Sequence, residues 1–168
     1  MKYKPVSLLW LALAERVVGV YRAALGNDLV AVAMFGSVAR GAAGPESDLD
    51  LYVVTRTRVS ALLDPRLDTA QEGIHQSAEY QALVREGYTP EPMPVFHTIE
   101  HLRKHPWILL DISHHGRILH DCDGVLGREL EAVRHRLAEL GAKRIEQPDG
   151  SWYWDLKPDW RPGDVIEL

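Results

Sequence analysis

The 168-residue chain has almost no cysteine, no excess of basic residues and no apolar stretch long enough to span a membrane. Its single cysteine, Cys122, excludes an internal disulfide framework. The formal net charge of −5 argues against a broad electrostatic surface for long nucleic acids. The remaining composition, 46% hydrophobic and 26% charged, is that of an ordinary globular domain, so evidence of function has to come from a local motif.

The N-terminal stretch 1–14 fits two interpretations. Two lysines precede a short apolar run, as in a secretory signal, and Ala12–Ala14 resembles a small-residue cleavage site. The apolar pattern nevertheless continues through that point at three- and four-residue spacing as far as Leu25, and Gly26 supplies a stop. This continuity favours a retained amphipathic helix and a cytoplasmic protein.

Helix and strand patterns alternate along the rest of the chain. The patterns predict strands over 29–35, 48–55, 91–98 and 117–120. They predict helices over 58–88, interrupted at Pro65 and Gly73, over 98–115, interrupted at Pro106, and over 125–140. Two short strands flank Asp149–Gly150 as a hairpin. We therefore expect an α/β (α+β) fold, a small mixed sheet with flanking helices over 1–140, with a hairpin and tail over 141–168 packed on it.

The informative segment is 36–51, GSVARGAAGPESDLDL, which follows the first predicted strand. Gly36 lets the backbone approach a ligand closely because it has no Cβ. Ser37 opens a helix-permissive stretch, so its hydroxyl and the free N–H groups of a helix start can hold phosphate oxygens. The segment therefore predicts a phosphate site between two strands.

A pair of carboxylates begins the second predicted strand. Side chains alternate along a strand, so Asp48 and Asp50 project from one side while Leu49 and Leu51 enter the core. Two adjacent carboxylates repel each other unless a cation lies between them. Mg²⁺, or Mn²⁺, is the expected occupant because it takes carboxylate oxygens and keeps positions open for substrate phosphates.

This arrangement resembles the signature of the DNA-polymerase-β-like nucleotidyltransferase superfamily, in particular its minimal branch. The resemblance is carried by Gly36–Ser37, a ten-residue spacer and Asp48–Asp50, and it extends to Ser37–Gly41 after the strand and Ser47–Leu51 on the next. It is close over 29–55 and loose in the flanking helices. It implies the nucleotidyltransferase, polymerase-β palm-like fold for 1–140.

The resemblance implies transfer of a nucleoside monophosphate from a nucleoside triphosphate, with ATP the expected donor. Asp48 and Asp50 would hold the metal, and Arg40 would neutralise phosphate charge, although a solvated surface arginine is an equal alternative. The residues assigned to nucleotide binding are Gly36, Ser37, Arg40 and Ser47.

A further carboxylate, on a later strand facing the first two, is usual in active members of the family, and the sequence departs from that pattern. The corresponding strand is 91–98, which contains no aspartate. Glu91 and His97 are the candidates for a catalytic base, with an exposed loop glutamate and a packed strand histidine as the structural alternatives. The expected binding of nucleotide and metal rests on the motif alone, whereas turnover also requires one of these two groups.

Minimal members of this family commonly pair with a HEPN-domain protein, so the resemblance implies a partner protein that carries the acceptor, in an antitoxin-like role. A nucleotide-binding regulatory module without turnover and an enzyme that modifies a small molecule are the alternatives. The aromatic tail with Trp152, Trp154 and Trp160 favours packing in the core or between subunits, which leaves a homo-oligomer open. A zinc site at His97, His101 and His105 is disfavoured because Pro106 and the predicted strand break their helical spacing.

Overall fold

A four-stranded mixed sheet with helices on both faces forms the centre of the fold. The computed structural model describes residues 6–60, 64–148 and 151–168, without the side chains of 68–70. The helices are α1 (Val6–Leu25), α2 (Gly36–Ala39), α3 (Pro65–His75), α4 (Ala78–Arg85), α5 (Ile99–Leu102), α6 (Ile108–His115) and α7 (Val125–Leu140). The strands are β1 (Leu29–Met34), β2 (Leu49–Thr55), β3 (Pro92–Thr98), β4 (Arg117–Asp121), β5 (Lys143–Glu146) and β6 (Trp152–Asp155).

The strand order is β3-β2-β1-β4, which places the turn between β1 and β2 at the middle of the sheet. β1 runs antiparallel to β2 and to β4, whereas β2 and β3 are parallel and are connected through α3 and α4. In the parallel pair, Asp50 lies beside Met93 and Val54 lies beside His97. This register decides which β3 residues are neighbours of the carboxylate motif.

The two faces of the sheet bury two separate apolar clusters. Leu49, Leu51 and Val53 are fully buried on the face covered by α1, α3 and α4. Tyr52 and Val54 are buried on the opposite face, beneath α5, α6 and α7. Because side chains alternate along a strand, Asp50 belongs to the α6–α7 face, at the end of β2 where the apolar cluster gives way to a polar region.

The predicted helix at the N-terminus is confirmed as one continuous helix, α1. Among the described residues, no helix combines the length and hydropathy that a membrane crossing requires. The fold class is also confirmed, as a mixed α/β structure with flanking helices. β5 and β6 pair antiparallel as expected for the hairpin, although its turn at 149–150 lies outside the described residues.

The helical stretch expected over 58–88 differs in detail. Pro65 does not interrupt a helix but occupies the first turn of α3, where its missing N–H costs nothing, and the Asp64 carboxylate caps that helix. Gly73 lies inside α3. The break comes instead at Ser77, whose hydroxyl accepts a hydrogen bond from the Tyr80 N–H, 3.2 Å away, and starts α4.

The start of α7 depends on a carboxylate at the end of β4. Asp121 accepts hydrogen bonds from the Leu126 N–H at 3.0 Å and the Gly127 N–H at 2.8 Å, two donors that have no partner within the helix. Asp121→Ala should therefore lower the free energy of unfolding by about 1–2 kcal/mol in urea denaturation. Glu131→Ala, on the exposed face of α7, should change it by less than about 0.5 kcal/mol. Equal losses in the two variants would contradict the capping role.

Candidate functional site

The turn between β1 and β2 is held by backbone hydrogen bonds at both ends. The Phe35 N–H donates to the Asp50 carbonyl at 3.1 Å, which joins the end of β1 to the start of β2. The next element, α2, is a single helical turn. The Arg40 N–H donates to the Gly36 carbonyl at 3.2 Å, and the Ala42 N–H donates to the Ser37 carbonyl at 2.9 Å. The motif is therefore a fixed loop mounted on two buried strands.

Gly36 and Asp50 are in close contact across this turn. The backbone of Gly36 has φ +70°, a left-handed conformation that favours glycine. A Cβ added there would lie 1.9 Å from Asp50 Oδ2 and 2.8 Å from Asp50 Cγ. Glycine is required at this position both for the backbone conformation and for the space that the carboxylate occupies.

The spacer folds back so that the two serines of the motif meet. Ser37 Oγ donates to Ser47 Oγ at 3.1 Å, and Ser47 Oγ also accepts from the Gly44 N–H at 2.9 Å. The loop thus brings the two hydroxyls together, and Ser47 directly precedes Asp48 in the chain. Three of the residues predicted to bind nucleotide, Gly36, Ser37 and Ser47, lie together in this loop.

The two carboxylates of the motif lie close enough to repel each other. Asp48 is exposed and immediately precedes β2, whereas Asp50 is partly buried within that strand. Burial raises the pKa of Asp50, the charges of Asp48 and Asp111 raise it further, and Arg40 opposes the shift. A cation between these oxygens would relieve this electrostatic cost.

Arg40 and Asp111 complete the polar surroundings of Asp50. Arg40 Nη1 lies 3.4 Å from Asp111 Oδ2, with side-chain exposures of 28% and 22%. The other carboxylate oxygen of Asp111, Oδ1, is buried and has no hydrogen-bond partner among the described residues. The sequence analysis did not identify Asp111. The available signal was a single acidic residue in the apolar run ILLDI at the start of α6.

Glu91 and His97 both lie on or beside β3, but neither is the neighbour of Asp50. The Glu91 carboxylate accepts from Tyr80 Oη and lies 2.8 Å from His75 Nε2. Burial opposes the shift, but these hydrogen bonds hold the pKa of Glu91 below its usual value. Through these contacts Glu91 is tied to α3 and α4.

Met93 is the β3 residue beside Asp50, and His97 lies four residues beyond it. At the rise of a β-strand, this separation is about 13 Å. His97 Nδ1 is 3.1 Å from the Tyr52 hydroxyl, and its ring lies 4.0 Å from that of His101 between centroids. Burial, and then the neighbouring His101, lower the pKa of His97. His97 lines a cavity of about 580 Å³ at the opposite end of the strand from the motif. His105, a member of the zinc site that the sequence disfavours, pairs instead with Glu129, at 3.0 Å between Nε2 and Oε2.

The hairpin and α6 place further unpartnered polar atoms in this region. His115 Nε2, Arg144 Nε and Trp154 Nε1 are buried without a hydrogen-bond partner among the described residues. Burial lowers the pKa of His115, as do the charges of His114, Arg144 and Arg40, while Asp111 opposes the shift. His115 therefore lies within electrostatic reach of Arg144 on the hairpin as well as of Asp111 and Arg40. Such orphaned groups are typical of positions that a ligand or water completes.

The donor set fits a hard divalent cation. Asp48 and Asp50 supply carboxylate oxygens, and the nearby hydroxyls and N–H groups of the loop suit phosphate oxygens. In the described part of the chain, no three His, Cys, Asp or Glu side chains converge on one point. A cation here would accordingly take two carboxylates and complete its coordination with phosphate and water.

Comparison with protein families matches residues 22–113, more than half of the chain, to the nucleotidyltransferase domain. A comparison with curated proteins finds no match to this chain. Similar solved structures include a toxin–antitoxin with AMP-PNP at 16% identity, which covers 75% of this chain and 90% of that chain with a TM-score of 0.43. The toxin–antitoxin MntA–HepT matches at 14% identity over 78% and 92%, with a TM-score of 0.40. The tri-AMPylated Shewanella oneidensis HEPN toxin in complex with MNT antitoxin matches at 12% over 79% and 92%, with a TM-score of 0.38.

The contact between Gly36 and Asp50 can be tested with two glycines that share a backbone conformation. Gly41 has φ +73° but open space where a Cβ would lie, so Gly41→Ala should cost only about 1 kcal/mol of backbone strain. Gly36→Ala should lower the free energy of unfolding by more than Gly41→Ala does, because the Asp50 carboxylate must also move. It should weaken Mn²⁺ binding as well. Equal effects of the two substitutions, by denaturation and Mn²⁺ titration, would contradict the contact.

Asp50→Asn should raise the melting temperature at pH 7 in the absence of metal. The pKa of Asp50 is raised in the folded state, so ionisation disfavours folding as pH rises through the unfolded and then the folded pKa. The amide avoids this penalty with the same shape. The gain should disappear at a pH low enough to protonate Asp50 in both states. Thermal melts at pH 3 and pH 7 check it, and a lower melting temperature for Asp50→Asn at pH 7 would contradict the repulsion.

Proposed function

The chain belongs to the nucleotidyltransferase domain family, and we propose that it transfers a nucleoside monophosphate, AMP from ATP, to an acceptor hydroxyl with the help of Mg²⁺. The observation that carries the proposal is the Asp48–Asp50 pair, of which Asp50 packs against the Gly36 turn. Two carboxylates that repel each other lie beside a loop that carries hydrogen-bond donors. That combination suits a metal-bound triphosphate better than any purely structural role.

The nucleotide would be held by the loop between β1 and β2. Gly36 allows the backbone to lie against the phosphates, and the linked hydroxyls of Ser37 and Ser47 offer donors on the same side of the loop. Arg40 lies at the end of α2 and supplies the positive charge nearest to Asp50. Together these groups orient a triphosphate with its α-phosphate toward the carboxylates.

Asp48 and Asp50 would hold the divalent cation. Bound there, Mg²⁺ supplies Lewis-acid stabilisation of the charge that develops on the α-phosphate and on the leaving pyrophosphate. The protein contributes a fixed position for both carboxylates, because β2 is buried on both sides beyond Asp50. An acceptor oxygen then attacks the α-phosphorus in line and pyrophosphate departs.

We place the acceptor hydroxyl on a partner protein of the HEPN class. The family resemblance implies such pairs, and similar solved structures are complexes of this kind. The acidic balance of the chain disfavours a long nucleic acid as the acceptor. This protein would then act as an antitoxin-like modifier of its partner.

One observation favours a second candidate, a nucleotide-binding module without turnover. In the β3 register the neighbour of Asp50 is Met93, a position where active relatives are expected to carry a third carboxylate. Without a group that accepts the acceptor's proton, the site would bind nucleotide and metal but not transfer. The two candidates differ in turnover alone.

Transfer of label from α-³²P-ATP tests the proposal. Incubated with Mg²⁺ and a co-expressed HEPN partner, the wild type should label that partner. Asp48→Asn and Asp50→Asn should each reduce labelling at least about 100-fold, because the cation loses a ligand. Asp159→Asn, on the exposed C-terminal tail, is the matched control and should label at the wild-type rate.

Binding measured alongside separates the candidates. A wild type that binds ATP in Mg²⁺ yet labels no acceptor would support the module without turnover. A wild type that binds no nucleotide in either Mg²⁺ or Mn²⁺ would overturn both candidates.

A further inference from the structure

The strand that would carry a third carboxylate does not supply one beside Asp50. The parallel register pairs Asp50 with Met93, whose residue surface is 52% exposed, and thioether sulfur cannot accept a proton from a hydroxyl. The Glu91 carboxylate is already engaged by Tyr80 and His75. His97 is four residues beyond Met93. If the site turns over, the base has to come from another element.

Asp111 reaches the same region from α6. Its ion pair with Arg40, at 3.4 Å between Nη1 and Oδ2, joins α6 to the loop that follows β1. Asp111 also lies close enough to Asp50 for its charge to influence the Asp50 pKa. In the described chain, Asp48 and Asp111 are the two carboxylates with that influence.

The position of Asp111 is fixed by the helix that carries it. Leu109, Leu110 and Ile112, its neighbours on α6, are all buried in the apolar cluster on this face of the sheet. A carboxylate mounted between buried residues keeps its place better than one on a loop. Within the described residues its Oδ1 is buried and has no hydrogen-bond partner, an unsatisfied state for which a catalytic role is one explanation.

We propose that Asp111 is the general base of this site and takes the place of the carboxylate that β3 lacks. The inference rests on the proposed nucleotidyl transfer. The acceptor O–H gives its proton to Asp111 Oδ2 while the acceptor oxygen forms a bond to the α-phosphorus. The bond from that phosphorus to the oxygen bridging to the β-phosphate breaks, and its electron pair leaves with pyrophosphate.

The ion pair with Arg40 explains how Asp111 becomes available. Arg40 Nη1 lies 3.4 Å from Asp111 Oδ2, a distance that is long for a charge-assisted hydrogen bond. A triphosphate in the loop competes for the same guanidinium. Arg40 then turns toward phosphate, and Oδ2 is left free as a proton acceptor. Asp111 acts as base rather than as metal ligand, since it does not converge with Asp48 and Asp50 on one point.

The experiment separates binding from transfer in the full chain. Binding is measured with α,β-methylene-ATP in Mg²⁺, and turnover is measured as transfer of labelled AMP from α-³²P-ATP to the co-expressed HEPN partner. Asp111→Asn should keep the dissociation constant within about threefold and lower turnover by about 10²–10⁴-fold, the usual contribution of a general base. Glu131→Gln, an exposed acid-to-amide change on α7, should alter neither.

Chemical rescue distinguishes a base from a structural residue. In Asp111→Ala, added sodium formate should restore part of the turnover, because a small carboxylate can occupy the vacated space and accept the proton. Formate should have no effect on Asp50→Asn, in which the base is intact and a metal ligand is changed. Thermal melts of each variant show whether the fold is retained.

Three results would overturn the assignment. Wild-type turnover in Asp111→Asn would exclude Asp111 as the base while leaving the proposed function standing. A loss of nucleotide binding as large as that of Asp50→Asn would make Asp111 part of the binding site instead. A wild type that binds the analogue but transfers no label to the partner would refute the base together with the turnover part of the proposed function.

Discussion

The contact between the Gly36 backbone and the Asp50 carboxylate is the constraint on which the site depends. Any side chain at Gly36 would occupy the space of Asp50 Oδ2, so the turn and the carboxylate are built as one unit. Asp50 is also partly shielded from water and lies near the charges of Asp48 and Asp111. Burial and these charges raise the pKa of Asp50. The fold therefore maintains an electrostatic cost at one point, a cost that a bound cation would relieve.

The sheet determines which residues can share that point. Leu49 and Leu51 anchor β2 under α1, and this leaves Asp50 on the face of α6 and α7. The parallel pairing with β3 then brings Met93 to Asp50 and carries His97 away. Besides Asp48, the carboxylate in the described chain whose charge reaches Asp50 is supplied by a helix, Asp111 on α6. Under the proposed function, the site would keep the loop and the two carboxylates of the motif while a helix provides the further group.

Much of this architecture could be predicted from the sequence. Spacing of apolar residues located α1, α7 and the central strands, and the Gly36–Asp50 motif indicated the site because its parts are local in sequence. The limits of α3 and α4 were missed, since Gly73 is accommodated inside α3 and the break comes at Ser77, whose hydroxyl caps α4. Asp111 could not be found this way. Its relation to Arg40, 71 residues earlier, arises only when α6 packs on the sheet.

A crystal structure with Mn²⁺ and α,β-methylene-ATP tests the central claim most directly. The account predicts an anomalous peak between the carboxylates of Asp48 and Asp50, with the triphosphate against Gly36 and Ser37. It also predicts that Arg40 has left Asp111 for a phosphate oxygen. A nucleotide bound elsewhere, such as in the cavity beside His97, or manganese that avoids both aspartates, would contradict it.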